Sequence, residues 1–193
     1  MDNMVLYHYR CDAEDDRGWG CLYRCYQMLY TAATGCPAPS VSSMMRTLGI
    51  SRSLHFRSMW IEPIDARTMA TKHGLQVDGR LMLYVDKPER LLDPFALDAM
   101  RRTPVAEADR VFFSTDKLLR DLRRDFESGG RLPIIIDDTI CAYCIVGFGD
   151  HDSYLKVADP HTVDSSRVLR TMSREAFDDR KIWMVYQAVR RGL

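Results

Sequence analysis

The apolar residues of this 193-residue chain change their spacing near Leu132, and that change restricts the possible folds more than any other feature. Before it, Leu22, Cys25, Leu29 and Ala33 recur at helical spacing, which predicts a first helix from Cys21 to a stop at Gly35. Ser40 suits the cap of a second helix bearing Val41, Met44, Met45 and Leu48, closed by Gly49. Pro63 fits the first turn of a third, with Ile64 and Met69 inside it and Gly74 as its end. Ser114 or Thr115 caps a fourth, in which Leu118, Leu119, Leu122 and Phe126 share a face ahead of Gly129-Gly130. After Leu132 the pattern is β: residues 132–136, 140–148, 154–158 and 181–189 read as strands, with 149–153 as a turn. Helices first and strands second imply an α+β layout in which one helix packs across an antiparallel sheet.

The length suits one domain spanning residues 1–193, because two domains of usual size would each lie near the lower limit for a self-sufficient core. Residues 35–39 and 87–108 are the linker-like stretches, and neither is long enough to divide the chain. Lysine plus arginine (27) equals aspartate plus glutamate (27), so no net field exists to hold nucleic acid or an anionic membrane. The longest apolar runs fall far short of the roughly 20 residues that span a bilayer, and residues 1–10 do not resemble a signal peptide. A soluble intracellular protein is the expectation, and its six cysteines then read as reduced thiols rather than a disulfide framework. Cys141-x-x-Cys144 stands alone, with no second pair to complete a zinc site, and reads as two strand residues. No metal or cofactor is called for.

The chemistry concentrates at two places. Cysteine attacks as the thiolate, and a thiol at a helix amino terminus ionises more readily because free N–H groups and the macrodipole favour negative charge. Cys21 occupies that position, after glycines that allow a sharp turn and close approach of a substrate, while its own N–H can face a developing oxyanion. The ordinary alternative is a small buried hydrophobe. A thiolate attacking an amide also needs a general acid for the leaving amine. In Asp159-Pro160-His161 the acid and the imidazole lie two residues apart, so in extended backbone they share a face, and Pro160 stiffens the link. The competing reading is an aspartate capping a turn. His151 falls in a turn, His55 and His73 flank helices, and His8 sits between tyrosines; all four read as structural or surface residues. No Gly-x-Ser-x-Gly elbow, HExxH, phosphate loop or dinucleotide fingerprint is present, which leaves cysteine chemistry.

Taken together, Tyr7-His8-Tyr9-x-Cys11-Asp12-x-x-Asp15-Asp16-Arg17-Gly18-Trp19-Gly20-Cys21-x-Tyr23-Arg24-x-x-Gln27 closely resembles the nucleophile segment of the proteases specific for the ubiquitin-fold modifier. Downstream, Tyr154-Leu155-x-Val157-x-Asp159-Pro160-His161 follows the same family order. The resemblance implies a papain-like fold with Cys21 as nucleophile, His161 as general base and acid, and Asp159 as the carboxylate that orients it. It further implies Tyr9 as an oxyanion-hole donor, a residue that unaided reading makes a half-buried strand aromatic. The implied substrate is a ubiquitin-like modifier whose tail ends in glycine after processing, with precursor maturation and isopeptide cleavage as the two reactions. Trp19 and Gly20 would line a narrow channel that selects glycine, although a core indole is an equal account of Trp19. With no extra amino-terminal domain, the chain looks like the short form of the family, a cytoplasmic protein that an adaptor could recruit to the endoplasmic reticulum. It departs from the family pattern between Ile50 and Ala108, and at Asp137-Asp138-Thr139 where the family tends to have glycines.

Three other readings compete. The autophagy cysteine protease also shows a GWGC-x-x-R-C-x-Q-M segment and a DPH motif, and Cys25 and Met28 favour it. Against it stand the short separation between Cys21 and Asp159 and the Tyr7-His8-Tyr9 lead-in. An idle module would bind the modifier without cutting, and a general papain-like peptidase would cleave unrelated peptides.

Overall fold

The computed structural model describes residues 4–53, 55–89, 108–150, 153–180 and 182–191. Helix α1 (Cys21–Thr34) is buried almost all round over its first nine residues, and it ends where Gly35 takes a left-handed conformation. That is the signature of a central helix. Helix α2 (Val41–Leu48) is capped by the Ser40 side chain, which accepts from Ser43 N–H, and α3 (Pro63–Lys72) opens on a reciprocal Glu62/Asp65 capping box. These three helices cover one face of the sheet, where α1 meets Ile135, Ala142, Cys144 and Ala158. Helix α4 (Thr115–Ser128) covers the other face through Leu118, Leu119, Leu122 and Phe126.

The sheet contains β1 (Val77–Val85), β2 (Arg110–Phe112), β3 (Ile134–Asp137), β4 (Ala142–Phe148), β5 (Tyr154–Ala158), β6 (Leu169–Ser173) and β7 (Ile182–Arg190), in the order β2-β1-β7-β3-β4-β5-β6. A short helix α5 (Arg174–Asp178) joins β6 to β7. The α+β class is borne out, with two corrections. The sheet is mixed rather than antiparallel, because β2 pairs parallel to β1 at one edge while the other neighbours run antiparallel. A nine-residue strand also lies in the half expected to be helical: β1 is buried continuously from Leu81 to Val85, so it lacks the alternation that marks a half-exposed strand. Of the linker-like stretch, residues 90–107 lie outside the described residues, as do Lys181 at the start of the last expected strand and two residues of the 149–153 turn.

The sheet order brings the site together. β4 and β5 pair at the centre of one half of the sheet, α1 lies over β3 and β4, and the chain leaving β5 emerges beside the amino end of α1.

Candidate active site

The turn before α1 is held from three sides. Gly18 has φ of 81°, a left-handed value that suits glycine. Trp19 and Gly20 both donate backbone N–H to Asp16 O, and a Cβ on Gly20 would lie 2.3 Å from Asp16 Oδ2, so no larger residue fits there without displacing that carboxylate. The Trp60 indole donates to Gly18 O at 2.8 Å. Helix α1 starts at Cys21 with no side-chain cap and no acidic residue in its first turn, so the N–H groups of that turn are left to face whatever anion sits there.

Behind the turn, the fully buried Arg24 guanidinium donates from Nε to Asp16, from Nη1 and Nη2 to Asp12, and from Nη1 also to Gln27. Asp16, likewise buried, accepts Arg10 N–H at 3.0 Å. One ion pair thereby ties the nucleophile turn to the segment carrying Tyr9.

Beyond β5, Asp159 N–H donates to Val168 O, and Pro160 O accepts Tyr9 N–H at 3.0 Å. Asp159 Oδ1 lies 2.6 Å from His161 Nδ1 and also accepts the His161 backbone N–H at 3.0 Å. The carboxylate has no proton to give, so Nδ1 donates and the ring is fixed. Arg170, on β6, places Nε 2.6 Å from Asp159 Oδ2. Burial alone would raise the Asp159 pKa, but the bonds from His161 and the charge of Arg170 bring it below the usual value. Burial likewise disfavours charge on His161, and this is overcome by Asp159 and by the thiols of Cys141 and Cys21, which hold the imidazole well above the ordinary histidine range. Nε2 is buried and makes no hydrogen bond within ordinary limits.

Tyr9 completes the cluster. Its ring meets the His161 ring edge-on at 5.5 Å, and burial, reinforced by the adjacent Cys21, raises its hydroxyl far above the ordinary tyrosine value, so it stays a donor. Tyr143, on β4, also packs against the imidazole at 5.2 Å and lies under Arg170.

A cleft of about 510 Å³ opens over Cys21, lined among others by Trp19, Trp60, Glu62, Asp137 and Ile140. Asp137 is buried in its wall, and desolvation raises its pKa to about 7 despite the Thr139 N–H that it accepts.

Cys21, Asp159, His161 and Tyr9, drawn from three distant parts of the chain, thus meet at one place. Trp19 lines the cleft yet is only 6% exposed and packs edge-on against Tyr23, so it is both wall and core. Gly20 caps α1 just beneath. Of the other histidines, His73 bonds Tyr26 and Thr47 and is held low by burial, His8 bonds its neighbour's carbonyl, and His55 precedes a 3-10 turn; His151 lies outside the described residues. Sequence reasoning missed Arg170, Tyr143 and Cys141. Arg170 sits on a mostly exposed edge strand with no pattern to mark it, and Cys141 lies just ahead of β4 rather than inside a strand as expected.

No family model matches the chain. Over 84 residues it is 35% identical to Ufm1-specific protease 1 of Mus musculus, a match that takes in 40% of this chain and 38% of that protein. The crystal structure of UfSP from C. elegans superposes with a TM-score of 0.66 over 98% of this chain and 34% of that one, at 18% identity. The resemblance is to the Ufm1-specific proteases. It was legible in the nucleophile segment, and the structural match shows that nearly the whole chain shares its fold with part of that UfSP. The chain itself spans little more than a third of the length of either relative.

Proposed function

We propose that the chain is a thiol protease that cuts after the carboxyl-terminal glycine of Ufm1 or a closely similar modifier, maturing precursors and releasing modified lysines. The observation that supports this best is the convergence of a helix-terminal thiol that lines the cleft with a carboxylate-held imidazole and a buried phenol. In this reading His161 takes the Cys21 proton, the thiolate attacks the glycine carbonyl, and the Tyr9 hydroxyl and Cys21 N–H stabilise the oxyanion. His161 then protonates the leaving amine; water, deprotonated by the same imidazole, attacks the thioester and frees Cys21. Asp159 keeps Nδ1 protonated and Nε2 turned to the sulfur throughout, with Arg170 holding the carboxylate. Trp19 and Trp60 flank a cleft that suits a tail without side chains. Its setting in this proposal is the cytoplasm, which agrees with six unpaired cysteines; among the described residues no helix is long and apolar enough to cross a membrane.

The test is to incubate the protein and its Cys21→Ala variant with tail-extended Ufm1, ubiquitin and an autophagy modifier, and to weigh the products. Release of the Ufm1 tail alone, absent in the variant, is expected. Cutting of the autophagy modifier would transfer the assignment to that protease class, and equal activity in the variant would remove Cys21 from the reaction.

A further inference from the structure

Between β3 and β4 the chain reverses through Asp138, Thr139, Ile140 and Cys141, and every backbone N–H of this turn is tied down. Asp138 N–H donates to Cys141 O at 3.2 Å, Asp137 Oδ1 accepts Thr139 N–H at 2.6 Å, and Asp138 Oδ1 accepts from both Ile140 and Cys141. Asp138 is itself buried, with Arg180 Nη1 3.2 Å from its Oδ2. Thr139 has φ of 75°, a value that a β-branched residue adopts only where its surroundings force it. What this strained turn presents is Ile140, which lines the same cleft as Cys21 and is nevertheless 64% exposed. Trp19, Ile61 and Met184 line that cleft as buried residues, so core packing accounts for them and leaves Ile140 at the rim unexplained. A lone exposed isoleucine means little; one held by such a turn over the cleft of the nucleophile is placed to meet what enters.

The imidazole decides which part of a substrate that is. His161 must hand its proton to the leaving amine, so the released part lies beside His161. Cys21 lines the cleft and His161 does not, so the cleft takes the other part, the tail that ends in the scissile glycine. The glycine brings no side chain, and the residue before it brings the first. Extended backbone advances about 3.3–3.6 Å per residue, so both fall within a cleft of about 510 Å³. The two carboxylates of the lining are already engaged, Glu62 by the N–H of Asp65 in the capping box and Asp137 by Thr139 N–H. The exposed Arg57 is the competing group, and it would favour an acidic side chain before the glycine.

We infer that Ile140 is a specificity-determining residue: it packs on the side chain of the tail residue immediately before the scissile glycine and selects an aliphatic one there. This rests on the reading of Cys21 as the nucleophile of a modifier protease. Contact takes the exposed face of Ile140 and an aliphatic side chain out of water together, which favours binding in proportion to the apolar area covered. An ionised side chain in the same place gives up water against an apolar wall. The strain at Thr139 and the bonds from Asp137 and Asp138 hold the wall in position before the tail arrives, so ordering it costs the complex little.

The experiment uses tail-extended Ufm1 in which the residue before the scissile glycine is set to valine, aspartate or lysine, cut by the parent protein and by its Ile140→Ala and Ile140→Lys variants. Because Ile140 is exposed, neither substitution opens the core. In the parent, kcat/KM for the valine tail should exceed that for the two charged tails by about tenfold or more. Ile140→Ala should bring those ratios close to one, and Ile140→Lys should turn the preference toward aspartate, with the change carried mainly by KM. Ratios that the variants leave as they were, or an equal loss on all three tails, overturn the inference. So does a parent protein that prefers aspartate, which would give the position to Arg57. Binding of the three modifiers to the Cys21→Ala protein reads the same preference without catalysis. A parent that cuts no modifier, while the Cys21→Ala protein binds the valine tail about tenfold more tightly than the charged ones, refutes the proposed function and leaves the role of Ile140 standing. Cutting with no preference does the reverse, and a chain that neither cuts nor binds any of the three refutes both.

Discussion

Two charged clusters flank the start of α1, built from similar groups but left in opposite states. Behind the helix, Arg24 spends its guanidinium donors on Asp16, Asp12 and Gln27, and the buried Asp16 is occupied by Arg24 and Arg10 N–H. In front, Asp159 is equally engaged by His161 and Arg170, yet the imidazole keeps Nε2 buried without a hydrogen bond. A saturated cluster can only hold things in place, because every change of protonation or position breaks a bond. An unsaturated one has a site left for a reacting proton. The two are joined through the Tyr9 segment, so the first sets the geometry within which the second could act.

Removing the unsaturated group should be felt in turnover and hardly in stability. His161→Ala is expected to lower kcat for tail cleavage by roughly three orders of magnitude or more while the melting temperature shifts little; a variant that melts early but retains turnover would reverse the assignment of the two clusters. Removing the saturated group should do the opposite first. Arg24→Met leaves Asp16 buried without its cation, which costs about 3–5 kcal/mol and should appear as a fall in the denaturant midpoint. Should Arg24→Met leave stability unchanged, the scaffolding role is lost.

The smallest effect sharpens the contrast with a buried acid, Asp137, that among the described residues forms no ion pair with a lysine or arginine. Asp137 is held up to about 7, so its native pKa lies above the unfolded one and the native state prefers the protonated form. Its contribution to stability is complete below about pH 4 and disappears as pH rises toward 7. Asp137→Asn should flatten the decline in unfolding free energy over that interval; an unchanged slope would show that Asp137 titrates normally.

Legibility followed burial pattern and chain distance. The helices were readable because each carries apolar residues at helical spacing with a cap or stop: Ser40 before α2, Pro63 inside α3, Gly35 after α1. Strand β1 was not, since Leu81–Val85 is apolar on both faces and shows no period, and β2 is three residues long. In the site, Asp159 and His161 were readable as a pair because their spacing is local. Arg170 was not, because nothing in a stretch of exposed edge strand announces that its guanidinium crosses to a neighbouring strand's end.

By itself the sequence determined the α+β class, the start of α1 at Cys21, the coupling of Asp159 to His161 and the resemblance to the Ufm1-specific proteases, since all of these depend on periodicity or on residues a few positions apart. Tertiary structure alone decided that Tyr9 reaches His161, that Arg24 braces the nucleophile turn, and that Arg170 reaches Asp159. Those contacts depend on how the turn before α1 folds back and on which strands the sheet sets side by side, and no periodicity in the local order of residues announces them.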